Sequence, residues 1–377
     1  MAPTVCERRH KGTLVSDKTN RGRFFEDLTP GALLRHPVPR TVTEGDRALY
    51  IALTGDRTPL FCSDPFAQAL GLPRAPLHDL LVFHVVFGKS VPDVSLNAVA
   101  NLGYADVRFL RPVFPGDTLR AESRVLGCRE TSAGTAGIVW VHTTGYNQRE
   151  EPVLSFYRWV MVNKRDPATP TGAADAPTLP AEVPGTDLPV PPGLDLARFD
   201  PTATGGRWFF EDYRVGERID HADGMTVEEA EHALATRLYQ NTARVHFNLH
   251  QMQADTRFGR RLMYGGHVIS VARALAYNGL ENGLGMLAWN GGTHASPTFA
   301  GDTLYAWSEV LGKAELAGCP GAGALRLRLV AVKNADPLAE RVSLRIRDER
   351  TGREGYDPRV VLDLDYWLLM PKRGGRA

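Results

Sequence analysis

Phe114-Pro115-Gly116-Asp117-Thr118-Leu119 returns 185 residues later as Phe299-Ala300-Gly301-Asp302-Thr303-Leu304. The same offset carries Phe24-Phe25-Glu26-Asp27 onto Phe209-Phe210-Glu211-Asp212, Gly31 onto Gly216, Thr41-Val42 onto Thr226-Val227 and Glu44 onto Glu229. Chance does not hold one offset over that distance, and the period is too long for a solenoid unit. The chain therefore reads as a domain duplication, each half a complete or nearly complete fold.

Working outward, each half runs through the same signals: a glycine-containing turn, an acidic helical start, a loop, a mostly apolar helix, then several strands. The helices are predicted over Leu77 to Phe87 and His267 to Tyr277, the second opened by Gly265-Gly266. Strands are predicted at Ile138 to His142, Val153 to Val162, Arg326 to Val330 and Val361 to Met370, from alternation and β-branched or aromatic content. One long helix against an antiparallel sheet, twice, is an α+β arrangement.

Between the halves, nine prolines fall from Pro167 to Pro201, of 26 in the chain. Such a stretch supports neither a helix nor a central strand. It reads as a spacer or as an extended strap, and Leu196 and Phe199 favour the strap. The expected organisation is an N-terminal tail over 1–23, a first domain over 24–165, a linker over 166–205 and a second domain over 206–377. With 44 Lys+Arg against 43 Asp+Glu, no global field draws the chain to nucleic acid or an anionic membrane. Four dispersed cysteines make no metal-ligand spacing or disulfide framework, and no apolar run is long enough for a signal peptide or a membrane helix. A soluble cytoplasmic protein is expected.

Two motifs carry chemistry. One is Asp56-Arg57-Thr58-Pro59-Leu60-Phe61 in the first half and Asn241-Thr242-Ala243-Arg244-Val245-His246 in the second. The other is Arg74-Ala75-Pro76-Leu77-His78-Asp79-Leu80, against Arg260-Arg261-Leu262-Met263-Tyr264-Gly265-Gly266. Together they resemble the MaoC-type hydratases, the double-hotdog branch of the R-specific enoyl-CoA hydratases, whose signatures are Asp-x-Asn-Pro-(Leu/Ile/Val)-His and Arg-Pro-x-x-His-Gly-Met. The resemblance spans both halves and implies tandem hotdog folds, each a central helix wrapped by an antiparallel sheet. It also implies a working site in the second half, with the degenerate first half housing the acyl portion. More narrowly, the runs Ser95-Leu96-Asn97-Ala98-Val99-Ala100-Asn101-Leu102-Gly103-Tyr104 and Arg237 to His250 resemble the mesaconyl-CoA (2-methylfumaryl-CoA) hydratases, also called β-methylmalyl-CoA dehydratases. That implies reversible hydration of mesaconyl-CoA to β-methylmalyl-CoA in the ethylmalonyl-CoA route of acetate assimilation. No cofactor or metal is implied, since CoA is part of the substrate.

Hydrating an α,β-unsaturated thioester needs a base for water, a proton donor for the α carbon and donors for the enolate oxygen. His246 serves for both proton transfers, against a competing reading as a buried histidine packed beside Val245 and Phe247. Gly265 offers a backbone N–H at a helix N-terminus, or serves only a tight turn; Tyr264 and Gly266 flank it as substrate contacts. Asn241 replaces the family's Asp and orients by hydrogen bonds without acting as a base. Mesaconyl-CoA carries a free carboxylate, and two unit charges about 4 Å apart repel by roughly 1 to 4 kcal/mol, so the amide suits this substrate. Arg244 and Arg57 are candidates to clamp that carboxylate, and each reads equally as a surface ion pair. Asp56 reads as a turn cap. His246 and His250 lack the glutamate and third ligand of a zinc site, and His78, His84 and His267 read as core or interface residues. The alternatives are a hydratase for another enoyl-CoA and a non-catalytic acyl-CoA binder; duplication supplies the pairing single hotdogs make by dimerising, and further homo-oligomerisation is open.

Overall fold

The computed structural model describes residues 8–10, 13–15, 18–170, 176–254, 258–347, 349 and 352–374. Its frame is one 11-stranded sheet with every ladder antiparallel. The first half contributes, from the edge inward, Leu33–Thr41, Thr118–Glu130, Ala136–Tyr146, Pro152–Asn163 and Ala98–Phe109. The second half continues outward with Met286–Thr293, Val360–Pro371, Ala322–Lys333, Thr303–Glu315 and Arg218–Asp220, with Met225–Thr226 also pairing the strand Thr303–Glu315.

The opening repeat is a turn with a physical cause. Gly116 and Gly301 take φ of 102° and 91°, which favours glycine. Asp117 Oδ2 accepts from the Phe114 N–H at 2.8 Å and Asp302 Oδ2 from the Phe299 N–H at 2.9 Å, and Thr118 and Thr303 then open equivalent strands.

The halves meet where Ala98–Phe109 pairs Met286–Thr293. Tyr104 faces Gly292 and Val107 faces Trp289, a register that the 185-residue offset maps onto itself. Inside the sheet lie two central helices, Asp79–Ser90 and Gly265–Leu275. Here the offset is 186, as Leu77 and Met263 donating to Val113 and Thr298 shows, so their first residues are equivalent, as are His84 and Ser270, and His84 Nε2 lies 2.7 Å from Ser270 Oγ. A pseudo-twofold axis therefore passes between them, and the N-terminus of each helix lies toward the C-terminal end of the other. Apolar residues of both helices and both half-sheets form one core, so the duplicated halves share their interior.

Both helices start and stop differently from expectation. The first begins at Asp79 because His78 Nδ1 accepts from the Leu80 N–H at 3.0 Å, and it runs on through Gly88-Lys89-Ser90, which are buried against the second half and the sheet. The second begins at the glycines themselves. Being buried on nearly every side, the first helix has no polar face for periodicity to read.

In the linker, residues 171–175 lie outside the described set. Beyond them the chain forms a strap across the sheet: Val183, Leu188 and Leu196 are buried with Trp367 and Leu316, the Val183 N–H donates to Asn290 Oδ1 at 2.7 Å, and Trp367 Nε1 donates to the Val183 carbonyl at 3.0 Å. In the segment expected as an N-terminal tail, Arg8–His10 pairs Thr13–Val15. The hairpin Arg345–Arg347 with Glu354–Tyr356 is an insertion of the second half that lengthens the offset beyond it, so that Arg158 corresponds to Tyr366. No helix among the described residues is long and apolar enough to cross a membrane.

Candidate active site

The pseudo-twofold places the two motifs at opposite ends of the helix pair and lets them be compared atom by atom. Asp56 and Asn241 both build an Asx turn, each Oδ1 accepting at 2.9 Å from the N–H two residues on, Thr58 and Ala243. With Oδ1 engaged, Asn241 keeps its Nδ2 donors for another partner. After it, Arg244–His246 forms a 3-10 turn, bringing the imidazole back toward the segment before the second central helix.

His246 is 8% exposed, and its Nδ1 lies 2.9 Å from the Leu262 carbonyl oxygen. A carbonyl only accepts, so Nδ1 carries the proton and Nε2 keeps its lone pair. Burial lowers the imidazole to about 4, so the ring is neutral at physiological pH. That is the state a base requires.

The first half shows why its own histidine differs. His78 spends its Nδ1 lone pair on the Leu80 N–H, and its Nε2 stands 3.5 Å from Asp56 Oδ2, with both side chains buried. Phe61 occupies the place of His246. Asp79, equivalent to Gly265, sends its carboxylate over the helix N-terminus to accept from the Met286 N–H at 2.9 Å. Burial holds that carboxyl up at about 6. A cleft of about 460 Å³ lined by Phe61, Asp79, Arg111, Met286 and Leu194 lies at this end. This end has neither a free imidazole nor a free helix N-terminus.

At the second-half end, Gly265 opens the helix, so its N–H has no intrahelical partner. A Cβ there would come within 2.7 Å of the His294 ring, which makes the glycine a requirement of close approach. His294 follows the strand Met286–Thr293 and was not anticipated, since no motif surrounds it. Its Nε2 is buried without a partner, and burial, with His246 nearby, lowers the imidazole to about 4. Tyr264 is buried with an unpartnered hydroxyl; its ring lies 5.5 Å from that of His246 and 5.6 Å from that of Phe87. A Cβ on Gly266 would overlap the Tyr264 ring, so Gly266 makes room for the tyrosine.

Of the two candidate arginines, Arg244 shares the turn of His246, is half-buried and has no ion pair among the described residues. Arg57 is not brought here. It is 3.3 Å from Asp223 and 5.0 Å over the Tyr277 ring, beyond the C-terminal end of the second central helix, whose 11 residues span about 16 Å. His246 and His250 fall on different elements, the 3-10 turn and the helix Leu249–Ala254. Among the described residues no three His, Cys, Asp or Glu side chains gather as a metal site would need.

A family model described as mesaconyl-CoA hydratase matches residues 12–340. The chain is 54% identical to a β-methylmalyl-CoA dehydratase of Chloroflexus aurantiacus over 96% of its length and all of that protein. It is 57% identical to a mesaconyl-CoA hydratase of Cereibacter sphaeroides over 94% of its length and, again, all of the relative. A crystal structure of a MaoC domain dehydratase from Chloroflexus aurantiacus superposes with a TM-score of 0.90 at 55% identity, covering 95% of this chain and 100% of that one. A Mycobacterium tuberculosis protein described as having a double hotdog fold superposes at 0.71 and 26% identity, covering 93% and 98%.

Proposed function

The chain belongs to the mesaconyl-CoA hydratase family, and we propose that it reversibly hydrates mesaconyl-CoA to β-methylmalyl-CoA at the second-half site. The observation that carries this reading is the tautomer of His246: Nδ1–H held by the Leu262 carbonyl, Nε2 free and neutral. Nε2 takes a proton from water as the oxygen attacks the β carbon, and the imidazolium so formed returns a proton to the α carbon. Negative charge that develops on the thioester oxygen meets the Gly265 N–H, where the helix dipole favours it. Asn241 Nδ2 orients water or substrate by donation, and as an amide adds no charge to repel the substrate carboxylate. Arg244 is the rim cation of the site. No step calls for a cofactor or metal, and we assign the enzyme to the cytoplasm.

The test separates an enzyme from an acyl-CoA binder. His246→Ala is expected to lower hydration of mesaconyl-CoA by about 100- to 10,000-fold, with the affinity for the saturated analogue methylsuccinyl-CoA within threefold of the unsubstituted chain. Undiminished turnover would remove His246 from the mechanism.

A further inference from the structure

The duplication pairs Phe87 with Arg273 and Arg158 with Tyr366, so each half holds one arginine and one aromatic at the same depth in the core. Arg158 and Arg273 are 0% and 2% exposed. Neither makes an ion pair among the described residues, and Arg273 Nη1, like Arg158 Nε, is buried without a partner; the charges around them differ. Arg273 lies in the fields of Asp56 and Asp79. The equivalents of those acids at the Arg158 end are Asn241 and Gly265, and no acidic side chain pairs with Arg158 among the described residues. It touches hydroxyls, Ser90 Oγ at 2.9 Å and Ser95 Oγ at 3.4 Å, and lies 4.3 Å from the Phe87 ring centre. A buried cation without a counter-charge is costly, and desolvation draws this guanidinium down to about 10.

Arg158 is also not alone in being unsatisfied. Its Nε, both amide atoms of Asn101, the Tyr264 hydroxyl and His294 Nε2 are all buried without partners. Arg158, Tyr264 and His294 are linked through neighbouring rings. Tyr104 sits across the ladder from Arg158, and its ring is 5.9 Å from that of His294. Tyr264 bridges Phe87, which Arg158 covers, and His246. Ser95, Asn101 and Tyr104 all belong to the run that narrows the resemblance to one group of hydratases. Arg244, by contrast, is only half-buried, so solvent reaches it.

We propose that Arg158 receives the free carboxylate of the substrate, taking from the ligand the counter-charge that no acidic side chain among the described residues gives it. The inference rests on the hydratase reading and adds to it a specificity-determining residue contributed by the first half. Arg158 is enclosed in the free protein, and the buried Tyr264 ring stands between Phe87 and His246.

The experiment is steady-state hydration of mesaconyl-CoA and of crotonyl-CoA, which lacks the second carboxylate, by the full chain and by Arg158→Gln. The expected result is a loss of at least about 100-fold in kcat/KM with mesaconyl-CoA and a loss at least ten times smaller with crotonyl-CoA. Equal losses with both substrates, or no loss with either, would overturn the proposal. If melting curves show that Arg158→Gln does not fold, Arg158→Lys, which keeps the charge and loses the planar fork, must show the same substrate-selective loss. Failure of the unsubstituted protein to hydrate mesaconyl-CoA would instead overturn the underlying reading.

Discussion

At the scale of single residues, the two histidines differ in which lone pairs are free. His78 caps a helix with its own; His246 does not. Burial sets the acid limit of activity. Base catalysis needs neutral His246, and with its imidazole lowered to about 4, kcat/KM is expected to hold from neutrality down to about pH 5 and fall below that. An acid limb centred at the ordinary histidine value, near 6.5, would contradict the assignment. Asn241→Asp would return a negative charge to the site, and about tenfold or more of mesaconyl-CoA turnover is expected to be lost relative to crotonyl-CoA; comparing the two rates in one preparation checks it. The Asn241 to His246 spacing was legible because it lies within a few residues of chain. Arg158 and His294 were not, because a ladder register and the meeting of two halves bring them to the site. Arg57 was misleading for the same reason: its neighbour Asp56 belongs to a motif, but the pseudo-twofold sends that motif to the far end of the helix pair.

At the scale of elements, the second-half site depends on how closely the C-terminal turn of the first central helix approaches the loop before Asn241. A Cβ on Gly88 would overlap the Tyr239 carbonyl oxygen and come within 3.2 Å of the Asn241 N–H nitrogen. Neither atom belongs to a flexible side chain. Gly88→Ala is therefore expected to destabilise the protein by about 1 to 3 kcal/mol and to lower turnover by displacing Asn241; a denaturant midpoint and kcat measured on the same sample check both. The apolar run predicts this helix only to Phe87, whereas it continues through Gly88-Lys89-Ser90. The packing of the two halves overrides that reading by burying all three residues. Strand cores were legible because alternation survives in a sheet with one face on the helices, whereas the edge order of the strands was not, since it records how the two copies join.

For the whole molecule, the interior stores many neutral histidines. Burial lowers His221, His246 and His294 to about 4 and His267 to about 3, whereas in the unfolded chain each titrates near 6.5. The unfolded state therefore takes up protons first as pH falls. Stability from these groups is fully present above about 6.5 and is lost between there and about 4, at up to roughly 1.4 kcal/mol per pH unit for each histidine. Asp79, raised to about 6, works in the opposite direction and stabilises the fold as it protonates, but it is one group against four. Urea midpoints are expected to drop steeply from pH 6.5 to 4.5, and a flat profile would count against the buried neutral cluster. The same duplication that fuses the core leaves one end with an acid at the start of its helix and the other with an uncompensated arginine, the asymmetry on which we propose a single site for a dicarboxylyl thioester. The most direct test follows the absorbance of the conjugated thioester when the purified protein meets mesaconyl-CoA and, separately, crotonyl-CoA. Rapid loss with mesaconyl-CoA and at least tenfold slower loss with crotonyl-CoA is the predicted result; equal rates with both, or no loss with mesaconyl-CoA, would contradict it.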